Sequence, residues 1–211
     1  MDSQKVQQKQ QELEGLRRRV TDLERELSSS AAPEDWQASG FYWTYYATTG
    51  FILGGVGAIA SLLFNVIGST IAHKSPLEII KVYLTFPLGE RALSDDFNTG
   101  IALAIGCCLY VGTGMVLGIP FQLLLARFWP KENLVTRLMI ATVLGLVIWG
   151  INFYGILAWL QPLLFGGNWI VDGKVLPPWV AAATHLVFAW TMALIYPWGV
   201  YVPYRRQTEL A

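Results

Sequence analysis

Charge is what this chain has least of. Asp, Glu, Lys and Arg make up 14% of its 211 residues, against about 25% in an ordinary soluble domain. The shortage is concentrated in four long blocks that contain none of the four. That distribution excludes a soluble enzyme domain and a disordered regulator, and two cysteines exclude a disulfide scaffold. Fifteen basic and fifteen acidic residues cancel, so no basic surface calls for a nucleic-acid partner. Histidine is limited to His73 and His185, which leaves little for metal chemistry. Cys107 and Cys108 are consecutive, pointing about 100° apart on a helix, so they form neither a ready chelate nor an easy disulfide, and apolar packing is their expected role. The sequence has no H-E-x-x-H, G-x-S-x-G, Walker or C-x-x-C motif. Gly55-Val56-Gly57-Ala58-Ile59-Ala60 has the G-x-G-x-x-A spacing, but it lies inside an apolar block with no strand before it and is not read as a nucleotide site.

What remains is apolar: 54% of the residues are hydrophobic and the mean hydropathy is +0.42. The charge-free blocks lie at about 45–72, 98–126, 138–165 and 178–203, each longer than the roughly 20 residues that cross a bilayer. The fold class predicted is an all-α integral membrane protein, a bundle of four transmembrane helices at 41–206 preceded by a cytoplasmic coiled-coil helix at 1–30 and a linker at 31–40. With both termini in the cytoplasm, the inner segments hold eleven basic residues and the outer segments only Lys74, Lys81, Arg91 and Lys174. This obeys the positive-inside rule and predicts a multi-pass protein of the cell inner membrane. Aromatic clusters enter the first block at Phe41, Tyr42, Trp43, Tyr45 and Tyr46, and leave the fourth at Tyr196, Trp198, Tyr201 and Tyr204, where interfacial belts belong.

The first thirty residues are polar and carry heptads. Val6, Leu13, Val20 and Leu27 fall at a, with Leu16 and Leu23 at d and only Lys9 breaking the row. In a parallel pair Glu12 at g would face Arg17 at e, and Arg19 would face Glu24, both opposite in sign. Self-association or pairing with another subunit is expected, the alternative being a solitary amphipathic helix lying on the membrane.

Two small elements are expected on the outer face. Ser75-Pro76-Leu77-Glu78 has the form of a capping box, predicting a short interfacial helix near 76–86. Asp172-Gly173 between the apolar triplets 169–171 and 174–176 predicts a hairpin.

Gly50, Gly54 and Ala58 form a small-residue stripe on the first span, and Gly114 with Gly118 another on the second. Such stripes allow close helix approach, within the bundle or against another subunit. Pro120 and Pro197 are expected to kink the inner ends of the second and fourth spans. Asn65, Asn152, Cys107 and His185 place polar groups in the outer half of the membrane. The bland role is interhelical hydrogen bonding; the sharper one is a cofactor site at His185 and Asn65 for a quinone or haem. A bis-histidine haem is disfavoured because His73 lies about 12 Å from His185 along the membrane normal by helix rise.

These features read first as a non-catalytic accessory or scaffolding subunit of a larger membrane complex, a respiratory or photosynthetic assembly being the first to check. Its partners would be the bilayer and other membrane subunits, or a second copy through the coiled coil, and no cofactor is required. The alternative is an electron-transfer protein binding haem or quinone at His185. A small oligomeric channel or transporter finds least support, since the spans hold no carboxylate or basic group.

Overall fold

A computed structural model of the chain describes residues 3–30, 41–71, 73, 75–94, 97 and 100–202. Among these all regular structure is helical, and there is no strand. Two compact units divide the chain, residues 1–41 with 203–211 and residues 42–202. The first contains α1 (Ser3–Ser30). Its 28 residues make a rod about 42 Å long. Leu13, Leu16, Val20 and Leu23 are each about half exposed on it; the side chains of Val6 and Leu27, like the linker 31–40, lie outside the described residues.

The second unit holds four helices long and apolar enough to cross a membrane, the architecture of a multi-pass membrane protein. They are α2 (Trp43–Ile71), α4 (Gly100–Phe128), a composite third span from Leu134 to Phe165, and a fourth that runs through α7 (Pro178–Ile195) into a 3₁₀ turn ending at Gly199. The third span consists of α5 (Leu134–Gly150), a π-helical stretch Ile151–Leu157, and α6 (Ala158–Phe165). It starts four residues ahead of position 138, which charge alone marks out. The side chain of Asn133 accepts the Thr136 amide proton at 3.0 Å and caps the helix, which carries Arg137 into its first turn. Pro120 sits inside α4 without ending it, while Pro197 lies in the closing 3₁₀ turn.

The spans are arranged as an open arc. α2 lies between α4 and α7, α5 packs on the far side of α7, and α4 and α5 share no packed interface. Glycine sets the spacing of the α2–α4 crossing. A Cβ on Gly118 would lie 2.6 Å from the Gly54 Cα and collide with the Gly50 carbonyl; one on Gly54 would lie 2.9 Å from the Gly118 Cα, and one on Gly114 would strike the Ala58 methyl. Both stripes therefore face each other inside the bundle. Gly145 serves the α5–α7 crossing, with the Ala189 Cβ only 2.8 Å from where its own would be. Outward, Ile52, Ile59, Leu63 and Ile67 of α2 and Val135, Met139 and Val143 of α5 are exposed, a surface suited to hydrocarbon rather than water.

At the end where α2 begins and α7 finishes, the belt aromatics pack on one another. Tyr201 contacts Tyr42 and Tyr45 with ring centroids 4.8 and 5.2 Å apart, and the Tyr45 hydroxyl donates to the Val200 carbonyl at 3.4 Å. Arg137 lies over the Tyr196 ring, 4.5 Å from its centroid.

At the opposite end, α3 (Glu78–Leu88) is tucked against α4, α2 and α6. Ile80, Val82 and Leu84 are buried on it, so it is part of the core rather than a helix floating at an interface. The capping box does not form: Leu77 occupies the N-cap with no side-chain cap, and the Ser75 carbonyl instead accepts the Glu78 amide in a turn that uses Pro76 and Leu77. The expected hairpin at 169–176 is also replaced by consecutive turns. The Asp172 carbonyl accepts from both Val175 and Leu176, and its carboxylate accepts the Lys174 amide at 2.9 Å. The Ile170 amide is taken by Gln161. With those donors satisfied, no ladder can pair.

Candidate functional site

A cleft of about 520 Å³ opens between α4 and the π-helical stretch of the third span. Its floor comes from α3, through Ile79, Val82 and Tyr83, and its back wall from α7, through Ala181, Thr184 and His185. One side is α4 from Leu109 to Leu117, and the other is the π-helical stretch, contributing Asn152, Phe153, Ile156 and Leu157. Leu109, Val116 and Ile156 are exposed at its mouth, so the cleft opens sideways toward the hydrocarbon.

Polar chemistry in the cleft is sparse and uncharged: no Asp, Glu, Lys or Arg lines it. His185 Nδ1 lies 2.8 Å from the Ala181 carbonyl. A carbonyl can only accept, so Nδ1 carries the proton and Nε2 presents a lone pair. The ring meets Phe153 edge to face at 6.3 Å. The Tyr83 ring stacks tilted on Tyr110 at 4.9 Å. Burial pushes the Tyr83 phenol above its ordinary value, with Tyr110 adding to the effect, so it remains a hydroxyl donor. Tyr110 is itself held by Ser61, oxygen to oxygen 2.8 Å. Among the described residues neither Tyr83 nor Asn152 makes a side-chain hydrogen bond, and His185 makes only the one through Nδ1.

Asn65 and His185, paired in the sequence reading, are not brought together at this cleft. Asn65 is 5% exposed and its amide donates to the Ser61 carbonyl at 2.8 Å and to the Thr184 hydroxyl at 3.0 Å. The Thr184 hydroxyl in turn donates to the Val180 carbonyl. Asn65 is thus satisfied between α2 and α7, a bond of the kind worth about 0.6 kcal/mol in membrane bundles, and it borders a separate cavity of about 180 Å³. His73, the second histidine, is exposed in the turn after α2 with φ of 55°, and His185 is the one imidazole on the large cleft. Cys107 is half-buried beside the core cluster and Cys108 is exposed. Neither lines the cleft.

No protein family, curated protein or solved structure matches the chain.

Several residues that brace the cleft or the bundle carry little mark in the sequence. Gln161 is fully buried; its amide donates to the Thr85 hydroxyl at 2.9 Å and its carbonyl accepts the Ile170 amide at 3.0 Å. That node ties α3 to α6 and to the loop beyond, bracing the floor of the cleft. Gly106 makes room for Ile80 and Leu84 of α3, whose side chains would lie 2.5 and 3.0 Å from an added Cβ. Gln122, also fully buried, reaches the Gly199 carbonyl at 3.4 Å. The signal for Gln122 was present, since it continues the Gly114 and Gly118 stripe at the same spacing of four.

Proposed function

We propose that the protein is a membrane-anchored assembly subunit, in which the four-span unit is the anchor and α1 is the handle that pairs with a second copy. The observation that carries this reading is the apolar row on α1. Leu13, Leu16, Val20 and Leu23 recur with heptad spacing and are each about half exposed. Exposed apolar seams at this period are stabilised by a matching helix. The g-to-e pairs Glu12 with Arg17 and Arg19 with Glu24 favour a parallel copy of the same chain. The distribution of basic residues supports an inner-membrane location with both termini in the cytoplasm, which puts the handle where a cytoplasmic or membrane complex can use it. The glycine stripes are spent on the α2–α4 crossing, so they do not serve as a docking face. Assembly therefore falls to α1.

A cysteine placed at Leu16, with Cys107 and Cys108 changed to serine, tests the reading. A d position in a parallel pair brings the two sulfurs within disulfide range. Mild oxidation in the membrane is expected to give a dimer band for Leu16→Cys and little for Arg18→Cys on the outer side of the helix. Equal yields at both positions would defeat it.

A further inference from the structure

We propose that the cleft between α4 and the π-helical stretch is a binding site for a neutral ring lipid of the quinone class, and that it takes the reduced, hydroquinone form in preference to the oxidised one. This stands whether or not α1 pairs with a second copy.

Four observations carry it. The first is size. About 520 Å³ is open here, within the range of about 300–1,000 Å³ typical of small-molecule sites. The Gln161–Thr85 node props α3 against α6, and the Ser61–Tyr110 bond fixes the α4 wall. The second is charge. No ionised side chain lines the cleft, so an anionic headgroup or a fatty-acid carboxylate would lose its hydration with no counter-charge in return. The occupant is neutral.

The third is shape. Tyr83, Tyr110, Phe86, Phe153 and the His185 ring present aromatic surfaces to the space, which favour a flat ring through offset or edge contacts. The opening past Leu109, Val116 and Ile156 faces hydrocarbon, leaving an exit for an isoprenoid or alkyl tail. The π-helical stretch, a feature that recurs at functional sites, puts both Asn152 and Phe153 on the cleft wall.

The fourth is the polarity of the hydrogen-bonding groups. Asn152 and Tyr83 can donate to a ring oxygen. His185 Nε2 can only accept, because Nδ1 is committed to the Ala181 carbonyl. A quinone carbonyl has no proton to offer Nε2, whereas a hydroquinone hydroxyl does. Leaving a buried acceptor unpaired is costly, so the reduced ligand binds about tenfold more tightly for the loss of one such bond.

The test uses the full chain in phosphatidylcholine nanodiscs. Decylubiquinol, kept reduced under nitrogen, and decylubiquinone are each titrated, and the ligand retained beyond that of empty nanodiscs is extracted and quantified. The expected result is one saturable site per chain, about tenfold tighter for the quinol. His185→Leu is expected to erase the quinol preference. Ile156→Trp, which adds bulk at an exposed position of the mouth, is expected to abolish the excess retention. It also keeps the test valid if His185→Leu does not fold. Retention equal to empty nanodiscs, a tighter quinone, or a quinol preference that survives in His185→Leu would each overturn the proposal. Displacement of the quinol by farnesol at equal concentration would also overturn it, because an acyclic alcohol would then satisfy the site without a ring.

Discussion

Replacing Gly118 by alanine, the smallest change available, should destabilise the bundle, although alanine is the better helix former. The helix-propensity gain is about 1 kcal/mol. Against it stands the α2–α4 crossing, where the new methyl would lie 2.6 Å from the Gly54 Cα, 2.9 Å from the Gly54 nitrogen and in collision with the Gly50 carbonyl. All three are backbone atoms, so no rotamer can relieve them. Carbon atoms settle at about 3.5–4.0 Å, so the helices must part by roughly 1 Å, which forfeits up to about half of the dispersion energy along that seam. Overpacking of this kind typically costs about 1–3 kcal/mol, leaving a net loss of up to about 2 kcal/mol. Gly112, on the same helix, is the control: a Cβ there meets nothing within 4 Å, so Gly112→Ala should gain up to about 1 kcal/mol from propensity alone. Unfolding by SDS titration in mixed micelles, followed by far-UV circular dichroism and tryptophan fluorescence, gives both values in one assay. The two variants should move in opposite directions. If both stabilise the protein by similar amounts, the close crossing is wrong.

Three further outcomes follow from the polar contacts. Gln161→Leu strands the Ile170 amide and takes away the donor to the Thr85 hydroxyl, which keeps its own bond to the Val82 carbonyl; the loss should be about 1–3 kcal/mol for the amide left unsatisfied, measured in the same titration. A double-mutant cycle on Asn65→Ala and Thr184→Val should return a coupling of about 0.6 kcal/mol, and below about 1.7; a value of zero would mean that their 3.0 Å bond is not made in the membrane. On α1, Arg17→Glu should weaken self-association and the double change Glu12→Arg with Arg17→Glu should restore it, each exposed pair being worth about 0.2–1 kcal/mol; sedimentation at two salt concentrations checks both the effect and its screening.

The four spans were legible because absence of charge over twenty or more residues has one physical solution in a chain this short. Their ends were less so. Asn133 moves the start of the third span because a side-chain cap outweighs the presence of Arg137 in the first turn. The turn signals at Ser75 and Asp172 were present, but what they build depends on which amides are already taken, and Gln161 takes one of them from nine residues away. The glycine stripes at Gly50, Gly54, Gly114 and Gly118 could be read as close-approach surfaces; that they meet each other is a tertiary fact. His185 could be picked out as a lone imidazole in an apolar block. Its cleft could not, since the gap lies between α4 and a π-helical stretch with no sequence mark beyond Asn152 between Gly150 and Gly155. Tyr83 and Tyr110 carry no mark in the sequence until α3 folds back and sets their rings 4.9 Å apart.

The assembly claim is tested most directly by native mass spectrometry of the full 23.5 kDa chain released from lipid nanodiscs, beside the variant Leu16→Lys with Leu23→Lys. The unmodified chain should appear as a multiple of its own mass and the variant as a single chain. A single chain in both samples, or the same multiple in both, would contradict an assembly subunit that pairs through the heptad seam of α1.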